Sequence, residues 1–130
     1  METGQEILDR ALQLLGYADG CGADEDSPRW QALLDRGLAA VNQAYSDLWF
    51  IENDGVFTPL TALSGQVLLS SRGAGDILPY GVAMFLAQSE GDGDNQRLYA
   101  SLYNQKRSAA ARRPRRRQDT LFGREDVCGL

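Results

Sequence analysis

The sequence contains no histidine, and this absence removes several kinds of site at once. Without an imidazole, a serine or cysteine nucleophile has no histidine base, and a zinc site of the HExxH type cannot form. No GxxxxGK[ST] segment is present to cradle phosphates, and Gly73-Ala74-Gly75 lacks the third glycine of a dinucleotide-binding fingerprint. We therefore expect a protein that is not an enzyme and that carries neither a cofactor nor a metal.

Cysteine is scarce, and long apolar runs are missing. Cys21 and Cys128 stand alone in glycine-flanked segments, so no CxxC pair points to metal or redox chemistry, and we expect two free thiols in a reducing compartment. No stretch approaches the ~20 consecutive apolar residues of a membrane span. Residues 1–6 have neither the basic start nor the apolar run of a signal peptide, which predicts a cytoplasmic product.

Charge is distributed unevenly along the chain. Up to Gln105 there are 15 acidic and 5 basic residues, whereas from Lys106 onward there are 8 basic and 3 acidic ones. An acidic body that continues into a basic tail usually concerns the partners of a protein rather than its fold.

The acidic turn at residues 90–94 resembles the start of an EF-hand loop, because its acids alternate along the chain. An EF-hand requires glycine where Asn95 stands and a bidentate glutamate where Ser101 stands. We interpret the turn as solvated and not as a calcium site.

Apolar residues at helical spacing predict four helices, near residues 3–16, 28–49, 76–90 and 95–113. Thr3 and Glu6 form a capping box for the first helix, while Asp76 is expected to cap the third, and Asp94 or Asn95 the fourth. The second helix is the longest and is expected to be the central support. The third is apolar on nearly every side, which predicts the most buried helix.

The predicted fold is mainly α: a four-helix bundle-like domain over residues 1–113, followed by an extended basic tail over residues 114–130. Residues from about 50 to 75 contain β-formers around Ser64-Gly65, which predicts a β-like loop or hairpin inserted into the bundle. Pro59 confines the first strand of such a hairpin to an edge, and Pro114 ends the fourth helix.

Arginines are concentrated where the tail begins, at Arg112, Arg113, Arg115, Arg116 and Arg117. Three interpretations stay open: a solvated tail, docking on an acidic protein surface, and contact with DNA phosphates. The acidic body disfavours DNA because it repels the phosphate backbone, and Phe122 is the single ring of the tail. We predict that the arginines, together with Leu121 and Phe122, bind a protein partner.

Residues 76–107 read DILPYGVAMFLAQSEGDGDNQRLYASLYNQKR and contain three distinctive features. These are an LPYGVAM helix at residues 78–84, a Gly91-Asp92 turn followed by Asn95, and a Y-x-x-L-Y-N-x-K-R pattern at residues 99–107. Together they resemble the C-terminal helical pair of the head-to-tail adaptor (connector, or head completion) proteins of tailed bacteriophages. The order of helices and loop extends the resemblance loosely over residues 3–113.

The resemblance implies a structural virion protein that is made in the host bacterial cytoplasm and located at the head–tail interface. Such proteins form a ring, typically of twelve copies, below the portal protein, and they bind the tail or a stopper protein. DNA passes through the channel without specific binding, and a negative wall suits this passage. The arginine-rich tail would then contact the tail, the portal or a neighbouring subunit.

The alternative hypothesis comes from another class: a small arginine-tailed nucleic-acid-binding or DNA-packaging regulatory protein. It predicts retention on DNA with a steep dependence on salt, whereas an adaptor predicts almost none at physiological salt.

Overall fold

The computed structural model of the protein describes residues 2–16, 28–53 and 55–112. Its four α-helices are α1 Gly4–Leu14, α2 Pro28–Glu52, α3 Leu78–Ser89 and α4 Gly93–Arg112. A π-helical turn, Gly73–Ile77, leads directly into α3. The protein is therefore mainly helical, as predicted. The predicted tail, residues 114–130, lies outside the described residues.

Helix α1 begins at the predicted capping box. The Thr3 hydroxyl accepts from the Glu6 N–H at 3.2 Å, and the Thr3 N–H donates to the Glu6 carboxylate at 2.9 Å. The hydrogen bond from the Thr3 backbone, followed by the one from its side chain, lowers the pKa of Glu6. At the other end Gly16 adopts φ +93°, a left-handed conformation that ends the helix at low cost.

Helix α3 lies at the centre of the bundle and packs against α1, α2 and α4, which contact one another much less. Its Leu78, Val82 and Leu86 side chains are fully buried. The prediction that the third helix is the most buried one is confirmed, and the expectation that the second is the central support is wrong. Apolar residues on every face allow α3 to be covered from all sides, whereas α2 has a polar face.

Ser70, and not Asp76, caps the helical stretch that continues into α3. The Ser70 hydroxyl oxygen accepts from the Gly73 N–H at 3.0 Å. The Glu52 carboxylate in turn accepts from the Ser70 N–H at 2.8 Å and from its hydroxyl at 2.6 Å. Asp76 lies inside the π turn and pairs with Lys106 at 2.9 Å. The predicted cap at Asp76 is therefore wrong, because a contact with α2 moves the start of the helix upstream.

The glycines of the π turn serve close packing, although they read as a flexible loop in the sequence. A Cβ atom at Gly73 would lie 2.5 Å from Glu52 Oε2, and one at Gly75 would lie 2.9 Å from Glu2 Oε2. A side chain at either position would push the carboxylate aside, so the two glycines let these carboxylates lie close to the helix.

Helix α4 is capped by Asp92, two residues before Asp94 and three before Asn95, the two predicted caps. Asp92 Oδ1 accepts from the Asn95 N–H at 3.2 Å, and Oδ2 accepts from the Asn95 side-chain amide at 2.7 Å. Gly91 provides the left-handed conformation, φ +73°, that reverses the chain between α3 and α4. The GD turn of the predicted motif thus supplies both the reversal and the cap.

The predicted β-like hairpin is not found among the described residues; residues 55–70 are irregular. The Gly65 N–H donates to the Ala62 carbonyl at 3.0 Å, and on the second arm the Val67 N–H donates to the Glu2 carbonyl at 2.8 Å, just before α1. The first N–H groups of α1, at Gly4 and Gln5, donate to the carbonyls of Gly65 and Leu63 at 3.0 and 2.8 Å. A helix start leaves such donors unsatisfied, so it competes with strand pairing for these carbonyls.

Candidate interaction surface

The segment at residues 55–70 is held by two polar side chains of α2. The Asn42 amide donates to the Leu60 carbonyl at 2.9 Å and accepts from the Leu60 N–H at 2.8 Å. The Tyr45 hydroxyl accepts from the Leu68 N–H at 2.9 Å. Sequence reasoning missed Asn42, whose signal is a polar residue between Val41 and Tyr45 in the apolar stripe. The segment is therefore irregular but fixed in place.

An aromatic cluster supports the first arm of the segment. The Phe57 ring packs edge-on against Tyr45 with centroids 5.0 Å apart, and lies 6.2 Å from Trp49. Val56, next to Phe57, is 87% exposed, and Leu68 on the second arm is 53% exposed. A held backbone that displays apolar side chains loses little conformational entropy when a partner covers them.

The motif residues of α4 join this helix to α2. The Tyr103 hydroxyl donates to Asp47 Oδ2 at 2.7 Å, and Arg107 pairs with the same carboxylate at 3.2 Å. Burial, followed by the hydrogen bond with Asp47, raises the pKa of Tyr103. Sequence reasoning did not identify Asp47 as the residue on which these two side chains converge.

Three further contacts of the motif residues join α4 to the π turn, to α3 and to α1. Lys106 lies over the Tyr80 ring, 4.8 Å from its centroid, while it pairs with Asp76. The Tyr99 hydroxyl donates to the Leu14 carbonyl at the end of α1, and burial raises the pKa of Tyr99. Tyr99 and Lys106 therefore hold α4 against the neighbouring elements of the bundle.

Gly81 lets the Tyr103 ring of α4 lie close to the backbone of α3. A Cβ atom there would lie 2.7 Å from the Tyr103 ring, a distance that real Cβ atoms do not show. Gly81 therefore lets α4 pack closely against α3.

Of the predicted partner-binding residues, Arg112 is described and is exposed in the last turn of α4. The others lie outside the described residues: Arg113, Arg115, Arg116, Arg117, Leu121 and Phe122. Lys106 and Arg107, by contrast, are paired with Asp76 and Asp47 inside the bundle. Arg112, the first residue of the arginine cluster, therefore lies beyond Arg107, which pairs with Asp47 of α2.

No protein-family model, curated protein or solved structure matches this chain. None of the helices in the described parts of the chain is long and apolar enough to cross a membrane. Within the same residues, no three cysteine or acidic side chains converge in a way that would hold a metal ion.

Proposed function

We propose that this protein is a structural head-to-tail adaptor of a tailed bacteriophage. It forms a ring below the portal, extends the DNA channel and joins the head to the tail. One observation carries the proposal: the residues that resemble the adaptor family are those that interlock in the α3–α4 hairpin. Gly81 receives the Tyr103 ring, and Lys106 covers Tyr80. The resemblance therefore concerns one packed unit and not scattered positions.

The segment at residues 55–70 supports the proposal from a second direction. A ring subunit presents a different surface to each of its two neighbours, and a stable contact buries on the order of 2,000 Å². This segment adds a fixed, irregular edge to the bundle, with Val56 and Leu68 facing outward. Val56 is the most exposed large apolar side chain among the described residues, which favours this segment as part of such a contact.

The arginine-rich tail is assigned to partner docking at the portal, the tail or stopper protein, or a neighbouring subunit. Arginine binds a carboxylate through two parallel hydrogen bonds, which fixes geometry as well as charge. Replacement of Arg115, Arg116 and Arg117 by lysine is therefore expected to weaken docking although the charge is kept. In this function the protein takes no cofactor, catalyses no reaction and has no membrane partner.

The proposal is tested by removing the gene from the phage and imaging the particles. We expect DNA-filled heads without tails, and tailed particles again when the intact chain is supplied in trans. In intact particles, the protein should lie at the single vertex that bears the tail. Protein spread over the shell, or normal tailed particles without the gene, would contradict the proposal. Retention on DNA with a steep loss at higher salt would favour the nucleic-acid-binding alternative.

A further inference from the structure

A groove between α2 and α3 is left open on the surface of the bundle. Its apolar lining includes Ala39 and Ala40 from α2 and Phe85 and Leu86 from α3. The volume is about 250 Å³, which is below the roughly 300–1,000 Å³ of small-molecule pockets. The groove is therefore of a size for one or two side chains of a peptide segment.

An acidic turn adjoins one end of this groove. Ser89 lines the groove, and the chain then continues through Glu90, Asp92 and Asp94. Glu90 pairs with Arg36 at the edge of the groove, and Asp94 pairs with Arg97 at 2.6 Å. Asp92 accepts from Asn95, and no cation of the described chain pairs with it. Asp92 thus presents a negative charge that no cation among the described residues offsets.

We propose that the groove and the acidic turn of one copy bind the C-terminal segment of a second copy. Leu121 and Phe122 enter the groove, and the arginines at residues 115–117 contact the carboxylates of the turn. The order of groups agrees on both sides, because the arginines precede Leu121 by four to six residues, or roughly 13–20 Å of extended chain. From Asp92 to Phe85 the bundle spans roughly 10 Å, and the reach of the arginine side chains accommodates the difference.

The direction of approach decides between a second copy and the same chain. Tyr103 packs on Gly81 and Lys106 pairs with Asp76, so α4 runs antiparallel to α3. Arg112 therefore lies at the π-turn end of the bundle, roughly 30 Å from Asp92 along α4. A segment that folded back from Arg112 onto its own groove would leave its arginines on the π-turn side. Only a segment that arrives from the turn side places arginines on the turn and apolar groups in the groove.

Each copy in this arrangement offers a groove at one place and a segment at another. Such a contact is head-to-tail, so it joins successive copies and closes into a ring when the rotation permits. The inference rests on the proposed function in one respect, namely that copies of the protein contact one another head-to-tail. The contact itself needs no portal and no phage particle, so it can be examined in the purified full-length protein.

The experiment is a disulfide cross-link between two populations of the full-length chain, both carrying Cys21→Ser and Cys128→Ser. One population carries Gly123→Cys beside Phe122, and the other carries Gln43→Cys at the groove. Mixing under oxidising conditions should give a linked dimer whose yield falls as salt rises. Adding Ala39→Arg should weaken the association about tenfold or more, because it fills the groove and repels arginine.

Matched controls use Ser101, which is also exposed and helical but lies on α4. Ser101→Cys in place of Gln43→Cys should give only background linking, and Ser101→Arg should leave the yield unchanged. Equal yields at Gln43→Cys and Ser101→Cys would overturn the inference. So would a link that forms within single chains carrying both Gly123→Cys and Gln43→Cys, because the occupant would then be the same copy. The position of the protein in the particle is a separate observation, so failure here leaves the adaptor function standing.

Discussion

The two sides of α3 differ although the helix is apolar all round. Towards α4 it presents Gly81, and the Tyr103 ring fills the space against its backbone. Towards α2 it presents the larger Phe85, and the small Ala39 leaves part of that surface uncovered. The apolar pattern of a helix therefore shows that it is buried, but the sizes of opposing side chains decide whether an interface closes. The closed side stabilises the fold, and the open side is available to a partner.

The largest expected effect compares Leu86 with its neighbour Phe85. Leu86 is fully buried, so Leu86→Ala should lower the free energy of unfolding by about 2–5 kcal/mol. Phe85, on the same helix, is only partly buried and lies beside the groove. Phe85→Ala should therefore cost less than half as much. Denaturant unfolding measures both, and equal losses would mean that the groove is closed in solution.

A smaller effect compares two glycines inside helices. Alanine normally stabilises such a position by about 1 kcal/mol, and overpacking costs about 1–3 kcal/mol. At Gly81 the new methyl group would meet the Tyr103 ring, whose hydroxyl is held by Asp47, so we expect Gly81→Ala to be destabilising by about 1 kcal/mol net. At Gly93, the first residue of α4, the methyl group would lie 3.5 Å from Nη1 of Arg97, whose side chain is exposed.

Gly93→Ala should consequently not lower the thermal midpoint, and it serves as the control for Gly81→Ala. If both variants lost the same stability, the rigidity of Tyr103 would not be what distinguishes the α4 side.

The smallest effect concerns the alkaline limit of stability. Burial and the hydrogen bond to Asp47 raise the pKa of Tyr103 in the folded state, whereas the unfolded side chain ionises near pH 10. The stability associated with a neutral Tyr103 is therefore present below about pH 10 and is lost as the pH rises beyond it. Tyr103→Phe should cost about 1 kcal/mol at neutral pH and reduce the slope of stability against pH above 10.

Melting temperatures measured across the alkaline range would check this prediction. Burial also raises the pKa of Tyr99, so part of the dependence of stability on pH should remain in the Tyr103 variant. If Tyr103→Phe left the slope of stability against pH above 10 unchanged, α4 would separate from α3 before the Tyr103 hydroxyl ionises.

Local signals in the sequence were sufficient for some features of the fold. The capping box at Thr3 and the burial of the third helix depend on residues close together in the chain, and both were predicted. Ser70 escaped notice because its capping role depends on Glu52, 18 residues away. The two glycines that follow it resemble a loop until the carboxylates that crowd them are located.

The same limit applies to the interaction surface. Asp47 meets Tyr103 across 56 residues of chain, and no spacing rule connects them. Asn42 was readable as a polar interruption of an apolar stripe, but not as the residue that holds Leu60. Composition alone indicated the arginine cluster, of which Arg112 is the described member. The groove at Ala39 depends on how far apart two helices pack, which no local pattern specifies.

The π turn before α3 makes the number of residues there more important than their identity. A π turn accommodates one residue more than an α-helical turn would. Deleting a single residue, such as Gly75, would let the stretch become regular α-helix with the residues on both sides of it kept in place. If every residue stayed and the stretch became regular α-helix, everything on the Ser70 side would instead rotate about the helix axis by about 100°, because 3.6 residues make a turn. Ser70 would swing away from Glu52, and the segment at residues 55–70 would be carried off its support on α2.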